Sequence, residues 1–323
     1  RGQVVALCDL AVERMEEFAK ELPNEVKRYT SYEEMCRDPE VDAVFVGTPN
    51  QWHVPVALAA VKQGKHVLVT KPLAHSEPAA RELVQAAEAA GVVNMMSLSM
   101  RFSGSCMYLQ DQARRGTFGD LYYARARSVR RNGIPAWNLG FIQQGGGAFR
   151  DMGVHVLDAV WSILGHPRPA TITGVAGAKF GPRGQGYWFG RPSPDESVYR
   201  QFAADDYAGG FIRFDDGTGL QVESFWASHQ APEVQIELFG TEAGATLKPL
   251  TLYKTVDGAQ QDISVEIGDK SEGWNNIAAH FIACILDGTP CAAPLRHGLQ
   301  VQVMMEALLE SAAEGREVRV ETF

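Results

Sequence analysis

Between residues 4 and 96, short apolar runs alternate with amphipathic stretches, and nothing else in the chain constrains the fold as strongly. Residues 4–8 form the first apolar run. Across 11–22, Val12, Met15, Phe18, Ala19 and Leu22 recur at helical spacing. Ser31 and Glu34 have capping-box spacing and start a short helix. Residues 43–47, 66–70 and 92–96 read as further strands. Residues 52–63 and 77–90 read as helices that stop at Gly64 and Gly91. Strands linked through helices by short connections pair in parallel, in a sheet that helices cover.

The pattern changes after about residue 121. Tyr123, Arg125, Arg127, Val129 and Arg131 alternate along one strand, and their basic face suits solvent or cross-strand pairing. Further strands are expected at 171–178, 207–214, 220–228, 234–239 and 263–267. Asp215, Asp216 and Gly217 mark a hairpin between two of them. Few helices intervene, so this sheet is mostly antiparallel. Helices at 151–164, 275–286 and 294–313 cover part of it. Residues 181–194, rich in Gly and Pro, read as a long loop. The expectation is therefore α/β plus α+β. A parallel-sheet domain spans 1–97. A larger, mostly antiparallel open-sheet domain with helices on one face spans 98–323, its helix 294–314 packing back on the first domain.

A chain of 323 residues accommodates two such domains. With 45% hydrophobic and 21% charged residues it has an ordinary globular composition. The net charge of −9 disfavours a nucleic-acid partner. No apolar run approaches the ~18 residues of a membrane span. The five cysteines are scattered and lack CxxC spacing, so no metal site is expected, and reduced thiols suit a cytoplasmic location. The sequence enters a strand directly without an initiator Met. An upstream segment is expected, which leaves an upstream targeting signal open.

Several residues could carry chemistry. Asp151 and His155 follow three glycines and lie four residues apart, a spacing that shares one helix face. A His beside a carboxylate is a ready proton acceptor; the alternative is a helix cap and a core histidine. Asp9 ends the first strand, where an acidic residue can accept hydrogen bonds from ribose hydroxyls and favour NAD over NADP. Its alternative is an N-cap. Thr48, Pro49 and Asn50, with His53 beyond them, occupy the C-terminal edge of the parallel sheet, where ligands bind; an ordinary turn capped by Asn50 is the alternative. Lys71 ends another strand at the same edge and could hold a substrate hydroxyl, unless it is a surface lysine before a turn. Trp137 and Asn138 could line a sugar pocket, although aromatics more often belong to a core. The glycines from Gly184 to Gly190 are one residue too long for a GxGxxG motif and lack its strand and helix.

Taken together these motifs resemble the Gfo/Idh/MocA oxidoreductases, a family that includes glucose–fructose oxidoreductase and inositol dehydrogenase. The similarity runs along essentially the whole chain. It rests on the Thr48-Pro49-Asn50…His53 loop and on Thr70-Lys71-Pro72, which resembles a Glu-Lys-Pro motif with Thr for Glu. It also rests on Met100-Arg101-Phe102, on Gly145-Gly146-Gly147…Asp151…His155…Asp158, and on the hairpin segment from Phe239 to Ala245. The resemblance implies a Rossmann-type first domain whose glycine-rich first βα unit is absent from this sequence. It implies Lys71, Asp151 and His155 as the catalytic group. Asp9, Thr48, Pro49, Asn50, His53 and Lys71 are implied around NAD, and Arg101 with Trp137 and Asn138 around a sugar or polyol. The reaction implied is oxidation of a secondary hydroxyl by hydride transfer, with His155 as general base. The open sheet implies a homodimer or homotetramer. An NAD-dependent glycosidase and a non-catalytic NAD-binding sensor are the alternatives of the same fold.

Overall fold

The computed structural model describes residues 1–190, 194–268 and 273–320. Residues 191–193 of the expected 181–194 loop lie outside the described residues. The chain divides into two compact units, Arg1–Leu98 with Trp274–Gln300, and Ser99–Gly273 with Val301–Phe323. The segment Trp274–Gln300 thus groups with the first unit, whereas the sequence reading assigned all of 98–323 to the second.

The first unit runs β1 (Ala6–Cys8), α1 (Val12–Ala19), β2 (Lys27–Tyr29), α2 (Tyr32–Arg37), β3 (Ala43–Val46), α3 (Asn50–Lys62), β4 (His66–Thr70), α4 (Glu77–Ala89) and β5 (Asn94–Ser97). Its strands are all parallel and form two ladders, β1–β2 and β3–β4–β5. The Ser31 hydroxyl accepts the Glu34 N–H at 3.2 Å, so the cap read from the sequence starts α2. Val67 and Val69 of β4 are fully buried, as the middle strand of a helix-covered sheet requires. The short β2, Lys-Arg-Tyr, escaped the sequence reading because its side chains are largely exposed and carry no apolar signal.

The second unit opens with α5 (Gly104–Arg114) and β6 (Leu121–Val129). A π turn (Phe149–Gly153) leads into α6 (Val154–Ile163), followed by β7 (Pro169–Gly177), the short α7 (Glu196–Tyr199), β8 (Tyr207–Phe214), β9 (Gly219–Phe225), β10 (Glu233–Gly240), β11 (Ala243–Thr246), β12 (Thr251–Val256) and β13 (Ala259–Ser264). Helix α8 (Gly273–Asp287) belongs almost wholly to the first unit. Helix α9 (Leu295–Glu314) contributes to both, and β14 (Val318–Arg319) ends the chain's regular structure.

The nine strands β6–β14 form one sheet, ordered β13-β12-β11-β10-β6-β9-β8-β7-β14, antiparallel everywhere except between β6 and β9. The expected last strand at 263–267 lies earlier, at β13. Strand β11 lies in the expected hairpin segment 239–245, whereas β12 was missed: of its side chains only Leu252 is buried, so its apolar signal is weak. Helix α6 packs on β6 and β10, and on α9 the Ser311 hydroxyl accepts the Gly174 N–H of β7 at 2.9 Å. The opposite face of the sheet is open. There Tyr207 stacks on Phe225 with centroids 5.7 Å apart. Arg125 and Arg127 pair with Glu237 and Glu233 at 3.2 and 2.8 Å, so the basic stripe on β6 is neutralised across the sheet. No helix of the described residues is long and apolar enough to cross a membrane.

Candidate active site

In the first unit, the C-terminal edge of the parallel strands gathers the polar residues. Thr48 to Asn50 connect β3 to α3, and Lys71 follows β4 directly, half-buried. His53 is fully buried. Its Nδ1 lies 2.7 Å from the Pro72 carbonyl and its Nε2 2.7 Å from the Thr48 carbonyl. Burial pushes its pKa down, opposed by the two carbonyl contacts. His53 therefore clamps the loops after β3 and β4 together.

Two buried hydroxyls at this edge, Thr48 Oγ1 after β3 and Ser97 Oγ at the end of β5, have no hydrogen-bond partner among the described residues. Buried polar atoms are normally paired, so both suit a polar ligand. Asp9 is exposed just beyond β1, and its Oδ1 accepts the Ala11 N–H at 2.8 Å. Ala11 itself is the N-cap of α1. The carboxylate borders a cleft of about 390 Å³ that Leu7, Arg14 and Phe18 also line. A nicotinamide dinucleotide fits this donor set: an acidic group for ribose hydroxyls, two buried hydroxyls and the Lys71 cation at strand ends.

In the second unit, Gly146 and Gly147 make room for the protein's own atoms, whereas a Cβ on Gly145, where φ is +88°, would meet nothing within 4 Å. A Cβ on Gly146 would lie 2.0 Å from the Phe141 carbonyl oxygen. One on Gly147, where φ is +116°, would lie 1.9 Å from Asp205 Oδ1. Asp205 in turn accepts the Phe149 N–H at 2.9 Å through Oδ2, satisfying an N–H at the helix entrance. This tight entry leads into the π turn, which holds Asp151. Its Oδ2 accepts the indole N–H of the fully buried Trp226 at 3.0 Å. Met152 and Trp226 belong to one apolar cluster with Ile134, Ile142 and Tyr187, which gives the turn a rigid floor.

His155 stands in the first turn of α6. Every other residue of that helix is buried, and His155 alone keeps partial exposure. Asp151 is half-exposed as well, with Met152, Gly153 and Val154 buried between them. One polar stripe thus opens from an otherwise sunken helix, as side chains four residues apart require. Arg130 adds a cation. Burial pushes its pKa down while the Asp151 charge opposes that shift. Its guanidinium lies 4.8 Å from the Trp188 ring centroid, and Trp188 meets Trp137 edge-on at 6.0 Å.

Arg101 is a core residue. It is 2% exposed and forms a bidentate pair with Asp158, Nε to Oδ2 at 3.1 Å and a second contact to Oδ1. Burial raises the Asp158 pKa and the guanidinium opposes it. Arg101 therefore neutralises a core carboxylate. Trp137 is 51% exposed and meets Phe141 edge-on at 6.0 Å. The Asn138 side chain accepts the Gly140 N–H at 2.9 Å and caps a short 3₁₀ turn. The sequence reading missed Trp226, Asp205 and Arg130, none of which carries a local signal. Trp226 lies 75 residues from Asp151 in the chain.

Residues 1–98 match the model of an oxidoreductase family with an NAD-binding Rossmann fold, and residues 106–246 match the GFO/IDH/MocA C-terminal domain. The D-glucoside 3-dehydrogenase of Escherichia coli (strain K12) is 28% identical over 98% of this chain and 90% of its own length. The 1,5-anhydro-D-fructose reductase of Ensifer adhaerens is 29% identical over 99% of this chain and 92% of its own. Among solved structures, levoglucosan dehydrogenase in complex with NADH and levoglucosan superposes with a TM-score of 0.82 at 20% identity, covering 99% of this chain and 90% of that one.

Proposed function

This chain belongs to the GFO/IDH/MocA oxidoreductase family, and from that premise we propose that it is an NAD-dependent dehydrogenase of sugar or polyol secondary hydroxyls. The observation that carries the reading is the half-exposed Asp151–His155 stripe on the otherwise buried start of α6. Relatives named for glucosides, anhydrofructose and levoglucosan favour a pyranose-like substrate. The exposed faces of Trp137 and Trp188 suit an apolar sugar face.

A nicotinamide, when bound, would supply the hydride acceptor. His155 takes the hydroxyl proton as the carbon–hydrogen bond of the same carbon breaks. Asp151, held by Trp226, stabilises the imidazolium that forms and keeps the ring oriented. Lys71 is assigned the hydrogen bond to the reacting oxygen on the family resemblance alone. Asp9 receives the ribose hydroxyls, and its charge opposes a 2′-phosphate, so NAD is preferred over NADP. Thr48, Pro49 and Asn50 complete the cofactor side. The half-exposed aromatics Tyr207, Phe211 and Phe225 on the open sheet support a homodimer or homotetramer through that face; a monomer by light scattering at micromolar concentration contradicts it.

The test is a screen of NAD reduction over glucosides, anhydro-sugars and inositols. Net accumulation of NADH with one class supports the reading. Glycoside cleavage without net NADH points to the redox-neutral alternative and sinks the dehydrogenase.

A further inference from the structure

Helix α8 and the turn after it bring together three donors that the proposed reaction does not use. His280 and Cys284 lie one helical turn apart on α8, so they share a face. The helix ends at Asp287. Gly288, with φ at +65°, reverses the chain, and Cys291 returns to the same face. One nitrogen of His280 and the sulfurs of Cys284 and Cys291 all lie within 4.8 Å of one another. Cys284 is buried, and His280 and Cys291 are half-buried.

We propose that His280, Cys284 and Cys291 bind one divalent ion of the zinc class, which fastens the 288–294 segment to α8. The donor set is the first argument. One imidazole and two sulfurs select zinc, cobalt or a similar soft-to-borderline ion over magnesium or calcium. Spacing is the second. Cys284 Sγ and His280 Nε2 are 3.5 Å apart, and two ligands at ordinary bond lengths on a tetrahedral zinc stand about 3.5 Å apart. A thiol–imidazole hydrogen bond accounts for those two atoms, and Cys291, whose thiol donates to the Asn94 carbonyl at 3.5 Å, completes the set of three.

The tautomer is the third argument. The Ala292 N–H points at His280 Nε2 at 2.9 Å, so this nitrogen carries a lone pair and the proton lies on Nδ1. That is the form that ligates through Nε2. On binding, each thiol loses its proton to solvent, two in all, and the Ala292 N–H turns from the nitrogen to a thiolate sulfur. Three protein donors leave the fourth position to water at the exposed side. The segment is already tied to β5, since the Met96 N–H donates to the Ala293 carbonyl at 2.9 Å and Asn94 Oδ1 accepts the Leu295 N–H at 3.1 Å. A bound ion would therefore stabilise the first unit, and its effect would grow with metal concentration.

The experiment uses the full chain without a histidine tag, reduced and freed of metal by a chelator that is then removed. Cobalt(II) is titrated first and zinc(II) second. The expected result is a sulfur-to-cobalt charge-transfer band that saturates at one equivalent and is bleached by zinc, together with a zinc-dependent rise in melting temperature. Cys291→Ser, on the half-buried turn, should cut the band to about half and abolish the melting shift. His280→Gln should weaken binding by more than the ~10–100-fold that loss of an outer partner costs. Absence of the band overturns the proposal. So does a band unchanged by Cys291→Ser, or a chain that forms a Cys284–Cys291 disulfide in air yet takes up no metal after reduction.

Discussion

The indole N–H of Trp226 donates to Asp151 Oδ2 at 3.0 Å, so a residue on the segment after β9 orients the carboxylate that opens α6. Trp226→Phe keeps the apolar packing and removes that donor. A hydrogen bond to a charged group contributes about 1.5–3 kcal/mol. If Asp151 is needed in the transition state, kcat should fall at least ~10-fold with little change in KM. Steady-state kinetics on the substrate found by the NAD screen checks this. An unchanged kcat removes Asp151 orientation from the account.

Asp9 sets the cofactor preference. Asp9→Ser removes the charge that opposes a 2′-phosphate, so the ratio of kcat/KM for NAD over NADP should drop by about tenfold or more, roughly 1.4 kcal/mol. Comparison of the two cofactors on wild type and variant measures it. A ratio that does not move assigns Asp9 to its hydrogen bond with Ala11 alone.

Arg101→Ala should leave Asp158 as an uncompensated buried carboxylate, and breaking such a pair costs about 3–5 kcal/mol. The double variant Arg101→Met, Asp158→Leu should recover much of that loss. Denaturant unfolding of the three proteins separates the cases. Equal stability of the single and double variants contradicts the buried-pair assignment.

These two residues also show what the sequence could and could not disclose. Arg101 and Asp158 each looked like part of a motif, but their pairing spans 57 residues and only the fold joins them. His53 was legible as part of a ligand-facing loop; its burial between the Thr48 and Pro72 carbonyls was not. The alternation from β1 to β5 was readable because each strand and helix carries its own apolar period. Local chemistry was readable too, as with the Ser31 cap and the turn at Gly217. The π turn was hidden because it depends on the contact of Asp205 with Gly147 and Phe149, far apart in the chain. Gly146 and Gly147, before Asp151, are places of close approach. What approaches is the protein's own backbone and carboxylate.

Asp38 gives an acid-sensitive point in the first unit. Lys27 Nζ and the Tyr29 hydroxyl both lie on its Oδ2, at 2.8 and 2.6 Å. Hydrogen bonds from Lys27, Tyr29 and the Glu40 N–H hold its pKa well below the usual carboxylate range. A depressed folded pKa contributes stability that is present above the unfolded value of ~3.9 and is lost as pH falls below it. Asp38→Asn should therefore flatten the fall in melting temperature on acidification below about pH 4. Parallel acid limbs in the two proteins contradict this.

The central claim is that His155 takes the substrate proton, and one measurement addresses it directly. His155→Asn is compared with wild type for the rate of NADH formation on the preferred sugar, alongside its melting temperature. A positioned general base contributes ~10²–10⁴-fold, so the account predicts a rate lower by that factor with the fold intact. A folded His155→Asn protein that still reduces NAD at near wild-type rate contradicts it.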